Sequence, residues 1–198
     1  MYVFFDTETT GLPKDWKAPM TKLDNWPRVI QLAHISFDEN RNLIHEACDL
    51  IKPDGWVMPT DKFWTDHGYT QEKNEKEGIP IALALDGFIN SLDNHGGRLV
   101  AHNISYDYNV LGAEMIRAKK KASHKPERFC TKEASTNYCK LPGQYNQFKW
   151  PKLDELYRHL FQSDFDGAHD ALNDVRATAK CFFELVDRKV IDLSKPIL

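Results

Sequence analysis

The sequence lacks the features of a membrane or secreted protein. No apolar stretch is long enough to span a bilayer, and the N-terminal apolar run is too short and has no basic flank. We therefore expect no membrane association and no signal peptide. The sequence also has no internal repeat and no low-complexity segment, so neither a solenoid nor a disordered chain is expected.

Cysteine is scarce, and its spacing is uninformative for metal binding. The four cysteines, Cys48, Cys130, Cys139 and Cys181, form no Cys-x-x-Cys pair. This pattern favours free thiols in a reducing compartment, so we expect a cytoplasmic location. A zinc site that uses Cys130 and Cys139 is a weaker alternative, because zinc-binding cysteines are usually closer together in sequence.

An excess of positive charge is also missing. The 198 residues carry a formal net charge of −3, with 28% charged and 41% hydrophobic residues. A strongly basic chain would indicate nucleic-acid binding directly, and this chain does not. The charge does not exclude such a ligand either, since bound metal ions and local basic patches can supply positive charge. Length and composition are typical of one globular domain with a sizeable core.

The most informative segment is an apolar run that ends in two acids. Residues 2–5 (Tyr-Val-Phe-Phe) are aromatic or β-branched, which favours a buried strand. Asp6 and Glu8 follow two positions apart, so they project to the same side at the end of that strand. Neighbouring carboxylates repel, and burying them is costly unless a cation joins them. Because Mg²⁺ prefers oxygen ligands, the pair predicts half of a metal site, with solvated acids as the alternative.

The hydrophobic periodicity predicts strands and helices in alternation. Apolar runs at 29–37 and 43–51 flank turn residues, which predicts a hairpin beside the first strand, with His34 as a structural residue. Further strands are predicted at 99–101 and 128–131, and helices near 60–64, 70–77, 81–94, 105–121, 132–139, 153–161 and 170–189. Thr60 is the expected N-cap of the first helix. The alternation predicts an α/β or α+β sheet packed against helices.

Two more acids are expected near the first pair. Asp107 lies at the start of a predicted helix, just after a buried strand, and Asp174 lies in the first turns of the last helix, behind His169. Functional groups in open α/β sheets gather beyond the carboxyl ends of central strands. We therefore expect Asp6, Glu8 and Asp107 at such ends, with Asp174 contributed by a helix that crosses the sheet.

Three segments together resemble the motifs of the DEDD exonuclease superfamily. Residues 5–11 (Phe-Asp-Thr-Glu-Thr-Thr-Gly) resemble its first motif, and residues 102–107 (His-Asn-Ile-Ser-Tyr-Asp) resemble its second, with Tyr106 where the family usually has Phe. Residues 169–174 (His-Asp-Ala-Leu-Asn-Asp) resemble the third, and His169 marks the DEDDh subgroup. Residues 67–70 (His-Gly-Tyr-Thr) resemble a His-Gly-Ile-Thr segment found between the first two motifs.

The resemblance implies the fold and the reaction. The implied fold is α/β and ribonuclease H-like, with a five-stranded mixed sheet flanked by helices in one domain over 1–198, of which 1–188 form the core and the rest a short tail. The implied reaction is 3′–5′ exonucleolytic release of nucleoside 5′-monophosphates from single-stranded DNA, assisted by two divalent cations, Mg²⁺ or Mn²⁺. Two such ions about 3.5–4 Å apart activate water and stabilise the leaving oxygen of a phosphodiester.

The resemblance also implies residue roles. The implied metal ligands are Asp6, Glu8, Asp107 and Asp174. His169 is the implied general base, because its ordinary pKa of about 6.5 suits proton transfer near neutrality. The implied contacts with the terminal nucleotide are Thr9, Thr10, Gly11 and Leu12, where backbone amides would hold the 3′-hydroxyl and Leu12 would wedge against the last base. His67 and Asn103 are implied substrate neighbours. For Asn103, a turn-stabilising role is an equal alternative.

Three segments have less certain roles. The 13–27 arm, with Trp16 and Trp26, either packs onto the body or contacts substrate, and packing is favoured. The basic run at 119–121 suits a solvated helix end, and steering of a polyanion is the alternative. The 140–152 loop interleaves Tyr145, Phe148 and Trp150 with lysines, a pattern that can bind bases and phosphates but that also occurs in well-packed loops.

Other functions remain open from the sequence. An exoribonuclease is the nearest alternative. A catalytically silent binding module on the same fold is disfavoured because the four acids and the histidine are all present, and a phosphohydrolase of small nucleotides would use the same site without a strand groove. The sequence does not decide whether a polymerase or another protein partner exists.

Overall fold

The fold is a single mixed sheet covered by helices on both faces. The structure, a computed structural model, describes residues 1–95, 97–145, 147–167 and 169–196. Parts of the 140–152 loop and of the C-terminal tail lie outside these residues. The strands are β1 (Tyr2–Thr9), β2 (Val29–Phe37), β3 (Leu43–Leu50), β4 (Arg98–Ala101) and β5 (Glu127–Cys130). The helices are α1 (Lys62–Asp66), α2 (Gln71–Glu77), α3 (Ile81–His95), α4 (Ile104–Arg117), α5 (Thr131–Cys139), α6 (Leu153–Phe161) and α7 (Ala171–Asp187), with a 3₁₀ turn at Leu23–Asn25.

The strand order is β3-β2-β1-β4-β5, so β1 occupies the centre of the sheet. β1 pairs antiparallel with β2, and β2 with β3, as the predicted hairpin requires. β4 runs parallel to β1 and to β5. The α/β fold with a five-stranded mixed sheet is therefore confirmed.

Side chains of β1 alternate between two buried layers, because successive residues of a strand point to opposite faces. Tyr2 and Phe4 join the core formed with α5, α6 and α7. Val3 and Phe5 join the core formed with α3 and α4. The apolar run at 2–5 is thus buried on both sides, and the same alternation places Asp6 and Glu8 on the face that α7 covers.

β1 is longer than the sequence predicted, and this corrects the expected position of the first two acids. Pairing with β2 continues past Phe5, with Asp6 opposite Ala33 and Glu8 opposite Gln31. The acids therefore lie on the paired strand itself, in its C-terminal half, with Glu8 one residue before its end. Pairing with β4 stops at Phe4, because β4 is only four residues long. The second half of β1 consequently has a free edge on that side.

Several predicted boundaries shift by a few residues. The residue before α1 is Asp61, not Thr60, and its side chain makes no capping bond. Thr70 caps α2 instead, by accepting a hydrogen bond from the Lys73 amide. α4 ends at Arg117, so the lysines at 119–121 lie beyond the helix, where Lys120 pairs with Asp86 at 2.7 Å. Thr131 opens α5 and does not end β5.

The 13–27 arm packs against α4, which confirms the favoured role for most of it. Trp26 is buried, and the buried Glu114 of α4 accepts a hydrogen bond from Arg28 Nε at 2.7 Å. The Arg117 guanidinium donates to the Trp26 carbonyl at 2.9 Å. Trp16 is 55% exposed and contacts Tyr106. Over the described part of the chain, no helix is both long enough and apolar enough to cross a membrane.

Candidate active site

The site lies where the free half of β1 faces the start of α7. Asp174 is in the first turn of α7, and His169 precedes the helix. The structure brings Glu8, His169 and Asp174 together: one ligand atom from each lies within 4.8 Å of the others. Asp6 is close enough to Glu8 and Asp174 for repulsion between the carboxylates to raise its pKa.

Asp107 approaches the other three acids from the opposite face of the sheet, where α4 packs. It reaches them around the free edge of β1. It lies in the first turn of α4, and its Oδ1 accepts hydrogen bonds from the Thr7 hydroxyl at 2.7 Å and the Thr7 amide at 3.2 Å. That amide is free to donate because β4 has already ended. Asn103, with φ of +76°, makes the left-handed turn between β4 and α4.

Burial raises the pKa of all four acids. Burial, with repulsion from the neighbouring acids, raises the pKa of Glu8 to about 8 and that of Asp6 well above its usual value. Burial also raises the pKa of Asp107 to about 7, against the opposing Thr7 hydrogen bonds, and that of Asp174 to about 6. Charges crowded in this way are stabilised by a cation, and an all-carboxylate donor set suits a hard divalent ion. The residues present therefore fit a magnesium or manganese site.

His169 belongs to a small aromatic group at the surface. Its ring lies 5.0 Å from that of His67 and 5.3 Å from that of Phe63 (centroid distances). Burial, together with the neighbouring His67, lowers the pKa of His169. His67 Nδ1 lies 2.6 Å from the Phe63 carbonyl and so donates to it, which leaves Nε2 as the acceptor. His67 is thus next to the candidate base.

Sequence reasoning missed the groups that hold the backbone of His169. The Tyr69 hydroxyl lies 2.8 Å from Gln31 Oε1 and 3.2 Å from the His169 carbonyl. Gln31 Oε1 also accepts from the Ala171 amide at 3.0 Å. The corresponding segment of the family is His-Gly-Ile-Thr, and this chain has Tyr69 in place of the Ile. That departure from the family pattern was the signal in the sequence that could have identified this residue. The tyrosine supplies a hydroxyl that links β2 to the start of α7.

One cleft, of about 320 Å³, opens beside the end of β1 and the loop at residues 9–12, which we call the motif loop. Its lining residues are Thr7, Glu8, Thr9, Gly11, Leu12, Phe63, Trp64 and Tyr106. Leu12 is 72% exposed here, a position from which it can contact a base. Thr10 is directed elsewhere: its amide donates to the Arg28 carbonyl at 2.9 Å, and its hydroxyl accepts from the Arg28 amide at 3.0 Å. The Thr10 amide is therefore already engaged and is not a free donor for a 3′-hydroxyl.

Two aromatic residues stiffen this loop. The Tyr106 hydroxyl donates to the Gly11 carbonyl at 2.7 Å and lies 2.6 Å from the Thr9 hydroxyl. Trp64 Nε1 donates to the Thr9 carbonyl at 2.9 Å. The tyrosine that replaces the usual phenylalanine of the second motif thus adds a polar link that a phenylalanine cannot make.

A second cleft, of about 460 Å³, opens beside His169 and Asp174. Its lining residues are His102, Asn103, Lys132, Trp150, Pro151, Lys152, Leu153, Asp154, Phe165, His169 and Asp174. Asn103 Oδ1 accepts a hydrogen bond from Lys132 Nζ, so this side chain serves the cleft as well as the turn. Lys132 was not identified from the sequence, where a single lysine at the start of a helix carries no distinctive signal.

The fold and the site together define a class. A ribonuclease H-like sheet that brings four acids and a histidine to one edge is the arrangement of metal-dependent phosphodiester hydrolases of the DEDDh type. A family model, RNase_T: Exonuclease, matches residues 3–182. The chain therefore belongs to this exonuclease family.

Solved structures support the fold assignment. Escherichia coli exonuclease I in complex with a dT13 oligonucleotide superposes with a TM-score of 0.70 at 22% identity, over 94% of this chain and 40% of that chain. Exonuclease I from Methylocaldum szegediense gives 0.71 at 21%, over 95% and 40%. The zinc-bound E. coli exonuclease I–single-stranded DNA complex gives 0.67 at 23%, over 95% and 40%. At these identities the likeness establishes the fold alone, and the chain spans about two fifths of their length. No curated protein sequence matches significantly.

Proposed function

We propose that the protein is a metal-dependent exonuclease that removes nucleoside 5′-monophosphates from the 3′ end of single-stranded DNA. The observation that carries this proposal is the convergence of Glu8, His169 and Asp174, with Asp6 beside them and Asp107 held at the free edge of β1. Structural relatives that hold a dT13 oligonucleotide or single-stranded DNA support the choice of DNA.

The acids would hold two divalent cations. Asp6, central among the carboxylates, is the proposed shared ligand, with Glu8 and Asp174 completing one site and Asp107 supporting the ions directly or through water. Bound ions would supply activation of the attacking water and stabilisation of the leaving oxygen. We propose that both ions are Mg²⁺, or both Mn²⁺, because every acid offers hard oxygen donors.

His169 is the proposed general base. Its lowered pKa favours the neutral imidazole, which is the form that accepts a proton. Its place before α7, and not within the helix, leaves the side chain exposed and beside the acids. The ring of His67 packs against it and limits its orientation.

We propose that the first cleft receives the strand terminus. The loop at 9–12 and the Trp64 and Tyr106 side chains line one side of the site, which supports end-directed cleavage. Leu12 is the proposed wedge against the terminal base, and the Gly11 region supplies backbone contacts to the 3′-hydroxyl. The Thr10 amide is excluded from this role by its bond to Arg28.

A direct assay tests the proposal. Single-stranded DNA and RNA oligomers of one sequence, labelled at the 5′ end, are incubated with Mg²⁺ or Mn²⁺ and resolved by length. We expect a ladder that shortens stepwise from the 3′ end of DNA, with release of 5′-monophosphates. A 3′-phosphorylated copy of each oligomer is the matched control, and it should resist digestion because its terminus lacks the free hydroxyl.

The outcomes separate the alternatives. Faster digestion of RNA than of DNA would show that RNA is the preferred substrate. The 2′-hydroxyl would then be the group that is recognised. Hydrolysis of a nucleotide ester without shortening of either polymer would indicate a small-molecule phosphohydrolase. Absence of any hydrolysis with either metal would indicate a binding module and would overturn the proposal.

A further inference from the structure

We propose that Lys132 and Trp150 form a binding site for the nucleotide on the 5′ side of the scissile phosphate. This inference rests on the proposed function and deepens it, because it assigns the second cleft to the part of the strand that remains after cleavage. Trp150 would stack on the base of that nucleotide, and Lys132 would neutralise its phosphate.

The second cleft is placed where the upstream strand would lie. The two clefts share no lining residue, and they meet at the group formed by Glu8, His169 and Asp174. A strand cut at this group has its terminal nucleotide on one side and the remaining strand on the other. Since the motif loop lines the first cleft and suits the terminus, the second cleft is the one that faces the upstream strand.

The second cleft contains a lysine beside an exposed aromatic ring. Lys132 Nζ lies 4.3 Å from the ring centroid of Trp150, a cation–π contact, and donates a hydrogen bond to Asn103. Trp150 nevertheless remains 63% exposed, which leaves indole surface for a second ring. An aromatic plane next to a lysine is the combination that binds single-stranded nucleic acid, because bases stack on the ring and the cation attracts the backbone.

The backbone next to Trp150 is held by hydrogen bonds to its neighbours. The carbonyl of Pro151 accepts a hydrogen bond from His102 Nε2 at 3.1 Å, and Thr131 donates to His102 Nδ1 at 2.9 Å. Burial lowers the pKa of His102 to about 4, so this link persists in neutral solution. On the other side, the Lys152 amide donates to Glu155 at 2.9 Å. A platform fixed in this way binds a base at little entropic cost.

The proposal also explains a preference for single strands. A base can stack on Trp150 only when it is not already paired within a duplex. Tyr145, in the same loop, is 93% exposed and does not line the cleft. The assignment is thus restricted to the pair at the base of the loop.

The test compares a polymer with a substrate that has no upstream nucleotide. The polymer is an oligothymidylate labelled at the 5′ end, and the small substrate is the p-nitrophenyl ester of thymidine 5′-monophosphate, in which nitrophenol replaces the upstream strand. For Trp150→Ala we expect the KM for the polymer to rise about tenfold, which corresponds to the loss of one stacked base. The KM for the ester should stay within about twofold of that of the native protein.

Matched variants separate binding from folding. Trp150→Phe keeps an aromatic plane and should restore most of the polymer affinity, whereas Tyr145→Ala, which removes an exposed aromatic outside the cleft, should leave both substrates unaffected. Lys132→Met should weaken the binding of fluorescein-labelled oligothymidylate in EDTA, measured by anisotropy, and should reduce its dependence on salt. Thermal melting of each variant checks that the fold is retained.

The results distinguish two failures. If native protein hydrolyses the ester but shortens no polymer, the proposed function is wrong and the upstream site falls with it. If native protein shortens the polymer, and Trp150→Ala either changes neither KM or raises both equally, the proposed function stands and the assignment of the upstream site is overturned.

Discussion

The acids of this site are positioned by three elements, β1, α4 and α7, and His169 is the residue that differs most from them. It is exposed, it lies before a helix, and its backbone is fixed through Tyr69 and Gln31 on the neighbouring strand. The acids are held by burial within the sheet and helix ends, which suits ions that need fixed ligands. A base that moves a proton needs access to solvent and to substrate instead.

This difference predicts separate effects of mutation at the residue scale. In His169→Ala we expect turnover to fall by ~10²–10⁴, because proton transfer to a positioned base contributes about that factor. Mn²⁺ affinity, measured by isothermal titration, should change little because the four carboxylates remain. Asp6→Ala is the comparison, and it should lose metal binding and activity together. Unchanged turnover in His169→Ala would exclude His169 as the base.

At the scale of elements, β2 contains a buried polar residue that the site does not use. His34 is fully buried, and neither ring nitrogen has a hydrogen-bond partner among the described residues. Its ring packs against Phe88 of α3 at 5.6 Å and His45 of β3 at 5.4 Å. Burial, with repulsion from His45, lowers the pKa of His34 to about 4. The expected structural role is consistent with this position, but the imidazole has a cost in stability.

The lowered pKa sets the sign of a pH effect. Between about pH 6.5 and pH 4 the unfolded chain binds a proton at His34 and the native chain does not, so the free energy of unfolding falls as the pH is lowered through this window. His34→Leu should raise stability by about 1–2 kcal/mol, because it removes buried unpaired nitrogens at similar volume. It should also flatten the acid side of the curve, as measured by urea titration at several pH values. His159→Gln, a change at an exposed histidine, is the control, and a His34→Leu protein less stable than the native protein would contradict this account.

At the scale of the whole molecule, the sheet concentrates negative charge at one edge. The raised pKa values of Glu8, Asp107 and Asp174, at about 8, 7 and 6, mean that the native state holds protons there that the unfolded chain releases near pH 4. Without divalent ions, this contribution to stability is present below about pH 4 and is lost as the pH rises toward 8. Divalent ions favour the ionised carboxylates and reverse the trend.

Thermal melting in EDTA and in Mg²⁺ tests this reversal. We expect the increase in Tm caused by Mg²⁺ to be small in acid and to grow as the pH rises toward 8. Asp6→Asn should raise the Tm in EDTA on the alkaline side, since it removes one of the mutually repelling charges, and should abolish the gain from Mg²⁺. A gain from Mg²⁺ that is equal in the native protein and in Asp6→Asn would show that the ions bind elsewhere.

Much of the fold could be predicted because the signals are local. The continuous apolar run at 2–5, the turn residues within the 29–51 hairpin and the helical period of the apolar face of α7 are each visible within a single segment. The differences between predicted and observed element boundaries were small and had local causes. For example, Asp61 and not Thr60 precedes α1. The candidate acids were identified from the same local patterns together with the family motifs.

What the sequence determined by itself was which groups have the chemistry: two acids on one side of a strand, two more at helix starts, and one histidine. Only the tertiary structure decided how they meet. Asp107 reaches Thr7 across 100 residues because β4 ends early and frees the edge of β1. Lys132 meets Trp150 because α5 and the 140–152 loop flank the same cleft. Strand lengths and such pairings depend on contacts between distant segments, and no local period in the sequence encodes them.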